Sequence, residues 1–151
     1  MATRSQAREV IVGMLYAYHC GNTNIGHFAA ELLEEKHVRN RQKDFALFLF
    51  EGTLARLPQI DMIIRGLLKD WNFERLGDME KAILRLGVFE LMATETDRAV
   101  VIDEAIGLAK KFGDENAPRF VNGVLDAFGR DSAVLKAAQA ESDCVQQKKE
   151  T

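Results

Sequence analysis

Apolar residues in the segment 79–92 fall nearly all the way round a helix instead of following one side of it. A helix that is apolar on nearly every side is buried by neighbours on several faces. The charged residues that interrupt this pattern each need solvent or a partner: Glu80, Lys81, Arg85 and Glu90. Asp78 stands in a position suited to an N-terminal cap. The pattern predicts a central helix around which the rest of the chain packs.

The chain before this central helix divides into amphipathic stretches, with apolar residues recurring at i, i+3 and i+4. Thr3 and Gln6 have the spacing of a capping box, which predicts that the first helix begins at Thr3. Gly21 is typical of a residue that ends a helix. Arg4 and Arg8 are four residues apart, so we expect them to share the exposed face of this helix.

Further helices are expected on both sides of the central one. Before the central helix, one helix begins near residue 24, a second runs from the basic stretch 36–43 to Pro58, and a third covers 60–68. The apolar side chains of Trp71, Phe73 and Leu76 are expected to pack the connection that follows against the central helix. After it, one helix ends at Gly113, and a last one is capped by Asn116 and ended by Gly129. Alternation with a period of two is absent, so the predicted fold class is all-α, with six or seven helices.

The composition of the chain is consistent with this predicted all-α fold and limits the number of domains. The chain has 151 residues, 47% of them apolar, which is enough for one folded domain, predicted over 1–130, followed by a polar tail over 131–151 that we expect to be flexible. The net charge of −3 gives no global electrostatic attraction for nucleic acid. The absence of a signal peptide, of a long apolar run and of a cysteine pattern predicts a cytoplasmic protein.

Catalytic chemistry finds little support in the residue pattern. His19, His27 and His37 have no metal-ligand spacing, and no nucleophile stands in a recognisable setting. We therefore expect no metal, no cofactor and no enzymatic activity. Gly107 and Gly123, isolated within predicted helices, are interpreted as points of close packing. Binding is therefore a better hypothesis for the function of this chain than catalysis.

The loop 113–122 is the strongest candidate for a binding site. Lys110 and Lys111 precede it, and Arg119 and Phe120 lie at the start of the next helix. Backbone N–H groups, cations and an aromatic ring in one loop can hold a phosphate and stack a base. The alternative is an ordinary helix connection with Phe120 in the core. The basic run 36–43 is more typical of a solvated, locally paired segment than of a nucleic-acid site.

Three segments carry a resemblance to a known family: MEKAILRLGVFEL (79–91), VVIDEAIGLAKKFGDENAPRFVNGVLD (100–126) and RSQAREVIVGMLYA (4–17). Together they resemble the bacterial transcription antitermination factor family NusB, over roughly residues 4–128. The resemblance implies an all-helical fold of two three-helix sub-bundles without enzymatic activity. It also implies binding of boxA-type single-stranded RNA from ribosomal RNA operons, together with the ribosomal protein NusE, in the RNA polymerase antitermination complex.

The resemblance also implies two sets of site residues in this chain. The RNA-binding set is Arg4, Gln6, Arg8, Arg85, Lys110, Lys111, Asn116, Arg119, Phe120 and Asn122. We expect Arg4 and Arg8 to contact phosphates, and Phe120 and Asn122 to stack on a base or contact its edge. The NusE-binding set is Tyr16, Glu74, Leu76, Met79, Glu80 and Ile83.

The N-terminal segment departs from the family pattern because it is poorer in arginine, and fewer phosphate contacts mean weaker RNA binding. This departure favours the alternative function, a protein-interaction or ribosome-assembly module of the same fold whose RNA contact is minor. A third hypothesis, a domain attached to a ribosomal RNA methyltransferase, is the least favoured because the chain has no room for a catalytic domain. Monomer and homodimer both stay open.

Overall fold

The computed structural model describes residues 3–68 and 72–130, and for 129 and 130 it describes the backbone alone. Within these ranges the chain forms seven α-helices, two short 3-10 helices and no strand. The α-helices are α1 (Arg4–His19), α2 (Ala29–Glu35), α3 (Arg41–Ala55), α4 (Leu57–Leu67), α5 (Asp78–Ala93), α6 (Arg98–Phe112) and α7 (Ala117–Arg130). The 3-10 helices are Thr23–Phe28 and Phe73–Arg75. None of the described helices is both long and apolar enough to span a membrane.

Helix α5 is the centre of the fold, as its apolar pattern predicts. Every residue from 81 to 90 is buried, and α5 packs against α1, α3, α4, α6 and α7. Helices α1, α2 and α3 contact one another, and so do α5, α6 and α7. The all-α fold with two three-helix groups around a central helix is therefore confirmed.

The beginning and end of α1 follow the predicted local chemistry. The Thr3 side chain accepts the Gln6 N–H at 3.2 Å, and the Gln6 side chain accepts the Thr3 N–H at 2.8 Å. This reciprocal pair is a capping box, which satisfies two backbone donors that a helix start leaves open. Gly21, with φ of 112°, follows the helix in the left-handed region, which a glycine adopts without steric cost.

Several predicted boundaries are wrong, each for a local reason. Pro58 lies in the first turn of α4, where a proline's missing N–H costs nothing, so it starts a helix instead of only stopping α3. Gly77 is the N-cap residue of α5, and Asp78 is its first helical residue. Gly129 lies within α7, which continues to Arg130. Trp71 and the tail 131–151 lie outside the described residues.

The close-packed glycines are not the two that the sequence pattern indicates. A Cβ atom on Gly107 or Gly123 would meet nothing within 4 Å, so the packing interpretation of both is wrong. A Cβ on Gly52 would instead overlap the Phe89 ring, and one on Gly87 would lie 2.9 Å from a methyl carbon of Leu125. Helices α3 and α7 approach α5 at these two glycines because no side chain separates them there.

Candidate nucleic-acid interface

The end of α6 and the start of α7 form a turn that exposes half of the predicted RNA-binding residues. Gly113 ends α6, where its N–H donates to the Ala109 carbonyl at 2.9 Å. Asp114 Oδ1 then accepts the Asn116 N–H at 2.9 Å, and buried Ala117 anchors the first turn of α7. The predicted RNA-binding side chains exposed around this turn are those of Lys110, Lys111, Asn116, Arg119 and Asn122, and the acidic side chains of Asp114 and Glu115 are exposed beside them.

The first two turns of α1 lie alongside α6 and extend this exposed region. Lys111 Nζ donates to Glu9 Oε1 at 2.6 Å, and Ser5 Oγ donates to Glu104 Oε1 at 2.6 Å. Because both contacts join the same two helices, residues that are far apart in sequence meet on one side of the molecule. Arg4 is exposed at the start of α1. The N-terminal and C-terminal parts of the predicted RNA surface are therefore linked directly.

Gln6 is exposed, but its side-chain oxygen is used by the capping box of α1. Its direct role in the structure is therefore to fix the helix start beside Arg4 and Ser5.

Arg8 does not share the exposed face of α1, so that expectation is wrong. Only 2% of Arg8 is exposed. Its guanidinium donates to both carboxylate oxygens of Glu90, at 2.6 and 2.9 Å. A charged residue is stable in the core only when it is paired and hydrogen-bonded, and Glu90 supplies both conditions. Arg8 therefore fastens α1 to α5, and a phosphate could not reach it without opening the core.

Arg85 is also buried and lies away from the predicted RNA surface. It donates to the two carboxylate oxygens of Asp61 in α4, at 2.7 and 2.9 Å. His19 Nδ1 lies 3.2 Å from Arg85, and His19 Nε2 lies 3.0 Å from Asp78. The expectation that Arg85 flanks the RNA is therefore wrong, because this residue is the centre of a polar cluster that joins α1, α4 and α5.

The sequence pattern indicates that Arg85 and Glu90 need solvent or a partner, but it does not predict the two pairings, Arg8 with Glu90 and Arg85 with Asp61. A signal was present, since an isolated Arg or Glu within a helix that is apolar all round requires an opposite charge. The pattern gives no means of choosing which distant residue supplies it.

Phe120 and Asn116 face a cavity of about 240 Å³ between the start of α7 and the segment before α5. Leu76 and Glu80, from the predicted NusE-binding set, line the same cavity. The two predicted sets of site residues therefore meet at one place. Phe120 is half-buried and packs against the core, and part of its ring faces the cavity.

The predicted NusE-binding residues are accessible with one exception. Tyr16 and Glu74 are exposed, and Leu76, Met79 and Glu80 are half-buried. Ile83 is 0% exposed, so its predicted contact with a partner is wrong, because this side chain points into the core. A hydrogen bond from Arg65 lowers the pKa of Glu74. A hydrogen bond with Cys20 is the largest of the causes that raise the pKa of Tyr16, and the negative charge of Asp78 adds to it.

The basic run 36–43 is a locally paired segment, as its composition favours. Glu34 accepts a hydrogen bond from Arg39 at 3.1 Å and one from Lys43 at 3.0 Å. These contacts, the Lys43 hydrogen bond first, lower the pKa of Glu34. Two of the four cations in this run therefore share one acidic partner, Glu34.

Comparison with known proteins identifies relatives along nearly the whole described chain. The sequence profile of the NusB family matches residues 5–130. The transcription antitermination protein NusB of Wolinella succinogenes is 61% identical over 131 residues, which cover 87% of this chain and 97% of that protein. The protein of the same name from a Nitratiruptor species is 54% identical over 131 residues, covering 87% of this chain and 94% of that one.

Solved structures agree with the sequence matches. A chain from the crystal structure of antitermination factors NusB and NusE in complex with double-stranded RNA superimposes with a TM-score of 0.73 at 34% identity. The match covers 89% of this chain and 96% of that chain. NusB from T. maritima superimposes with a TM-score of 0.71 at 30% identity, covering 89% and 92% of the two chains. The chain therefore belongs to the NusB family, whose members include these transcription antitermination proteins.

Proposed function

We propose that this protein binds a boxA-type single-stranded RNA element of ribosomal RNA operons together with the ribosomal protein NusE. In this role it would help RNA polymerase resist termination while ribosomal RNA is made, in the cytoplasm. The proposal is supported by family membership and by a related complex that contains NusB, NusE and RNA. That related complex contains double-stranded RNA, so the form of the RNA is part of the test.

The surface formed by the start of α1 and the α6–α7 turn is the observation that carries the proposal. Four predicted RNA-binding cations are exposed there: Arg4, Lys110, Lys111 and Arg119. They are gathered on a chain whose net charge is −3, so the attraction for phosphates is local. Asn116 and Asn122 add amide groups that can contact base edges, and Phe120 adds a ring.

NusE would bind beside this surface, on the side of Tyr16, Leu76, Met79 and Glu80. Glu80 and Leu76 share their cavity with Asn116 and Phe120, so a partner that enters this cavity lies next to the bound RNA. RNA that contacts both proteins gains phosphate and base contacts that neither protein supplies alone. We therefore expect NusE to raise the affinity for RNA.

Fluorescence anisotropy with labelled RNA tests this function. The experiment compares a boxA single strand, a scrambled single strand and a boxA duplex, each with and without NusE, at two salt concentrations. We expect preferential binding of the boxA single strand, a higher affinity when NusE is present, and weaker binding at high salt. Equal, weak binding of all three RNAs under every condition would contradict the proposal.

Arg119→Ala and Arg39→Ala form a matched pair of variants for this experiment. Both arginines are exposed, but Arg119 lies on the proposed RNA surface and Arg39 pairs with Glu34 in the basic run. Arg119→Ala should weaken boxA binding, whereas Arg39→Ala should leave it unchanged. The reverse result would place the RNA on the basic run.

A second candidate function is a protein-interaction or ribosome-assembly module with minor RNA contact. The burial of Arg8 and Arg85 favours it, because it removes two cations from the predicted RNA-binding set. This function predicts NusE binding that does not respond to boxA RNA.

A further inference from the structure

A groove of about 470 Å³ lies between the start of α1, the first half of α3 and the turn that joins α5 to α6. It is lined by Arg4, Phe45, Phe48, Ala93 and the turn residues 94–96. Of these, only Arg4 belongs to the predicted RNA-binding set. The groove therefore adjoins the proposed RNA surface at Arg4, at the start of α1.

Phe48 gives this groove an exposed aromatic wall. It is 49% exposed, and its ring centroid lies 5.5 Å from that of Phe89, with the two ring planes tilted by 51°. Phe89 is buried in the central helix, so Phe48 is supported from behind. A rigid ring that presents apolar surface to solvent is suited to stack on another planar group.

Arg4 places a positive charge at the edge of the same groove. Its guanidinium carbon lies 4.5 Å from the centroid of the Phe45 ring, which is a cation–π contact. Arg8 approaches the same ring, with its guanidinium carbon 5.2 Å from the centroid, and is fixed by Glu90. Phe45 is therefore held by the core and in turn positions the exposed Arg4.

The opposite edge of the groove is a polar turn with a fixed backbone. Thr94 Oγ1 donates to the Glu90 carbonyl at 2.8 Å and accepts the Thr96 N–H at 3.4 Å. Glu95, between them, is exposed, and its carboxylate can accept hydrogen bonds. A carboxylate selects groups that donate, such as the amino group of cytosine.

We propose that this groove binds one unpaired nucleotide of the RNA, adjacent to the segment held at the α6–α7 turn. The base stacks on Phe48, its phosphate contacts Arg4, and Glu95 accepts a hydrogen bond from the amino group of the base. This inference rests on the proposed function, since it extends the RNA surface that shares Arg4. RNA fits the groove better than an apolar protein segment because a cation and a hydrogen-bond acceptor flank the aromatic wall.

The test compares a short boxA RNA with the same RNA extended by three cytosines at the 5′ end, at the 3′ end, or at both. Phe48→Ala removes the aromatic wall. Phe28→Ala is the matched control, because Phe28 is a similarly exposed phenylalanine, at 52%, outside the groove. We expect an extension to raise the affinity of the unchanged protein and of Phe28→Ala about fivefold or more, the effect of one base stacked on an aromatic ring. Phe48→Ala should lose this gain and keep its affinity for the short RNA.

Other outcomes separate the inference from the function. If neither extension raises the affinity, or if Phe48→Ala shows the same gain, the groove does not bind a nucleotide and the inference is overturned. The proposed function is still supported in that case if the short RNA binds. Failure of the unchanged protein to bind any boxA RNA rejects both. Loss of NusE binding in Phe48→Ala with an unchanged extension gain would make the groove a protein site and overturn the inference.

Glu95→Ala provides a second variant for which no core contact is lost. The unchanged protein should bind the cytosine extension more tightly than a uracil extension, and Glu95→Ala should reduce this preference. An unchanged preference overturns the role of the groove in contacting the base. Circular dichroism of each variant establishes that the helices are intact.

Discussion

Arg4 and Arg8 lie one helical turn apart and have opposite surroundings. Arg4 is exposed above an aromatic ring, whereas Arg8 is buried in a two-fold hydrogen-bonded pair with Glu90. Their spacing alone cannot separate these roles, because both positions lie on the same side of α1. The partner that decides between them is 82 residues away from Arg8.

Replacing Arg8 with alanine should lower the free energy of unfolding by about 3–5 kcal/mol, because it leaves Glu90 buried without its partner. Urea denaturation measures this loss. The double variant with Arg8→Met and Glu90→Leu is the control, since it removes both charges and keeps the volume, and it should recover most of the stability. A single variant as stable as the unchanged protein would contradict a structural role for this pair.

Replacing Arg4 with alanine should affect RNA binding much more than folding. The variant should lose one phosphate contact, so the slope of log affinity against log salt should fall by about one. Measuring boxA affinity at several salt concentrations, together with urea denaturation, gives both quantities. A loss of stability as large as that of Arg8→Ala would show that Arg4 serves packing instead.

At the scale of helices, glycines at a close helix contact and glycines at an open helix position should respond oppositely to one added methyl group. Gly52→Ala should destabilise the fold by about 1–3 kcal/mol, because the methyl group would overlap the buried Phe89 ring. Gly107→Ala should stabilise it by about 0.5–1 kcal/mol, since the position is an open site within a helix. Thermal unfolding of both variants measures the difference, and equal effects at the two sites would refute this account of the α3–α5 contact.

Glu34 joins the end of α2 to the start of α3 through Arg39 and Lys43, so its ionisation should contribute to stability. Because the folded state lowers the pKa of Glu34, the contribution is present above the ordinary glutamate pKa, about 4.3. It is lost as the pH falls through the lower folded-state pKa. An NMR titration of the Glu34 carboxyl should give a midpoint below that of a model peptide, and Lys43→Ala should raise it. An ordinary midpoint would mean that this link does not persist in solution.

The sequence predicts the helices better than their boundaries. Hydrophobic periodicity indicates most helices because burial of one face is a property of the local segment. The helix expected from about residue 24 is an exception, since Thr23–Phe28 is a 3-10 helix and the α-helix begins at Ala29. The predicted positions of Pro58 and Asp78 are wrong because a proline or an acid near a helix start is compatible with more than one boundary position. The close approach at Gly52 depends on Phe89 in another helix, which no local pattern contains.

For the whole molecule, the sequence and the family resemblance together predict most of the candidate site. They place Lys110, Lys111, Arg119 and Phe120 in one loop, and the fold leaves the three cations exposed. They cannot predict that the two proposed binding surfaces meet, because the shared cavity arises only when the start of α7 packs beside the segment before α5.

Mapping the RNA onto the protein by NMR tests the central claim most directly. Isotope-labelled protein is titrated with boxA single-stranded RNA and with a scrambled strand, and backbone amide shifts are followed. We predict that boxA changes the shifts of residues 4–9 and 110–122 and leaves those of α4 unchanged, with smaller changes for the scrambled strand. Changes concentrated on α4, or identical changes with both strands, would contradict the proposed RNA surface.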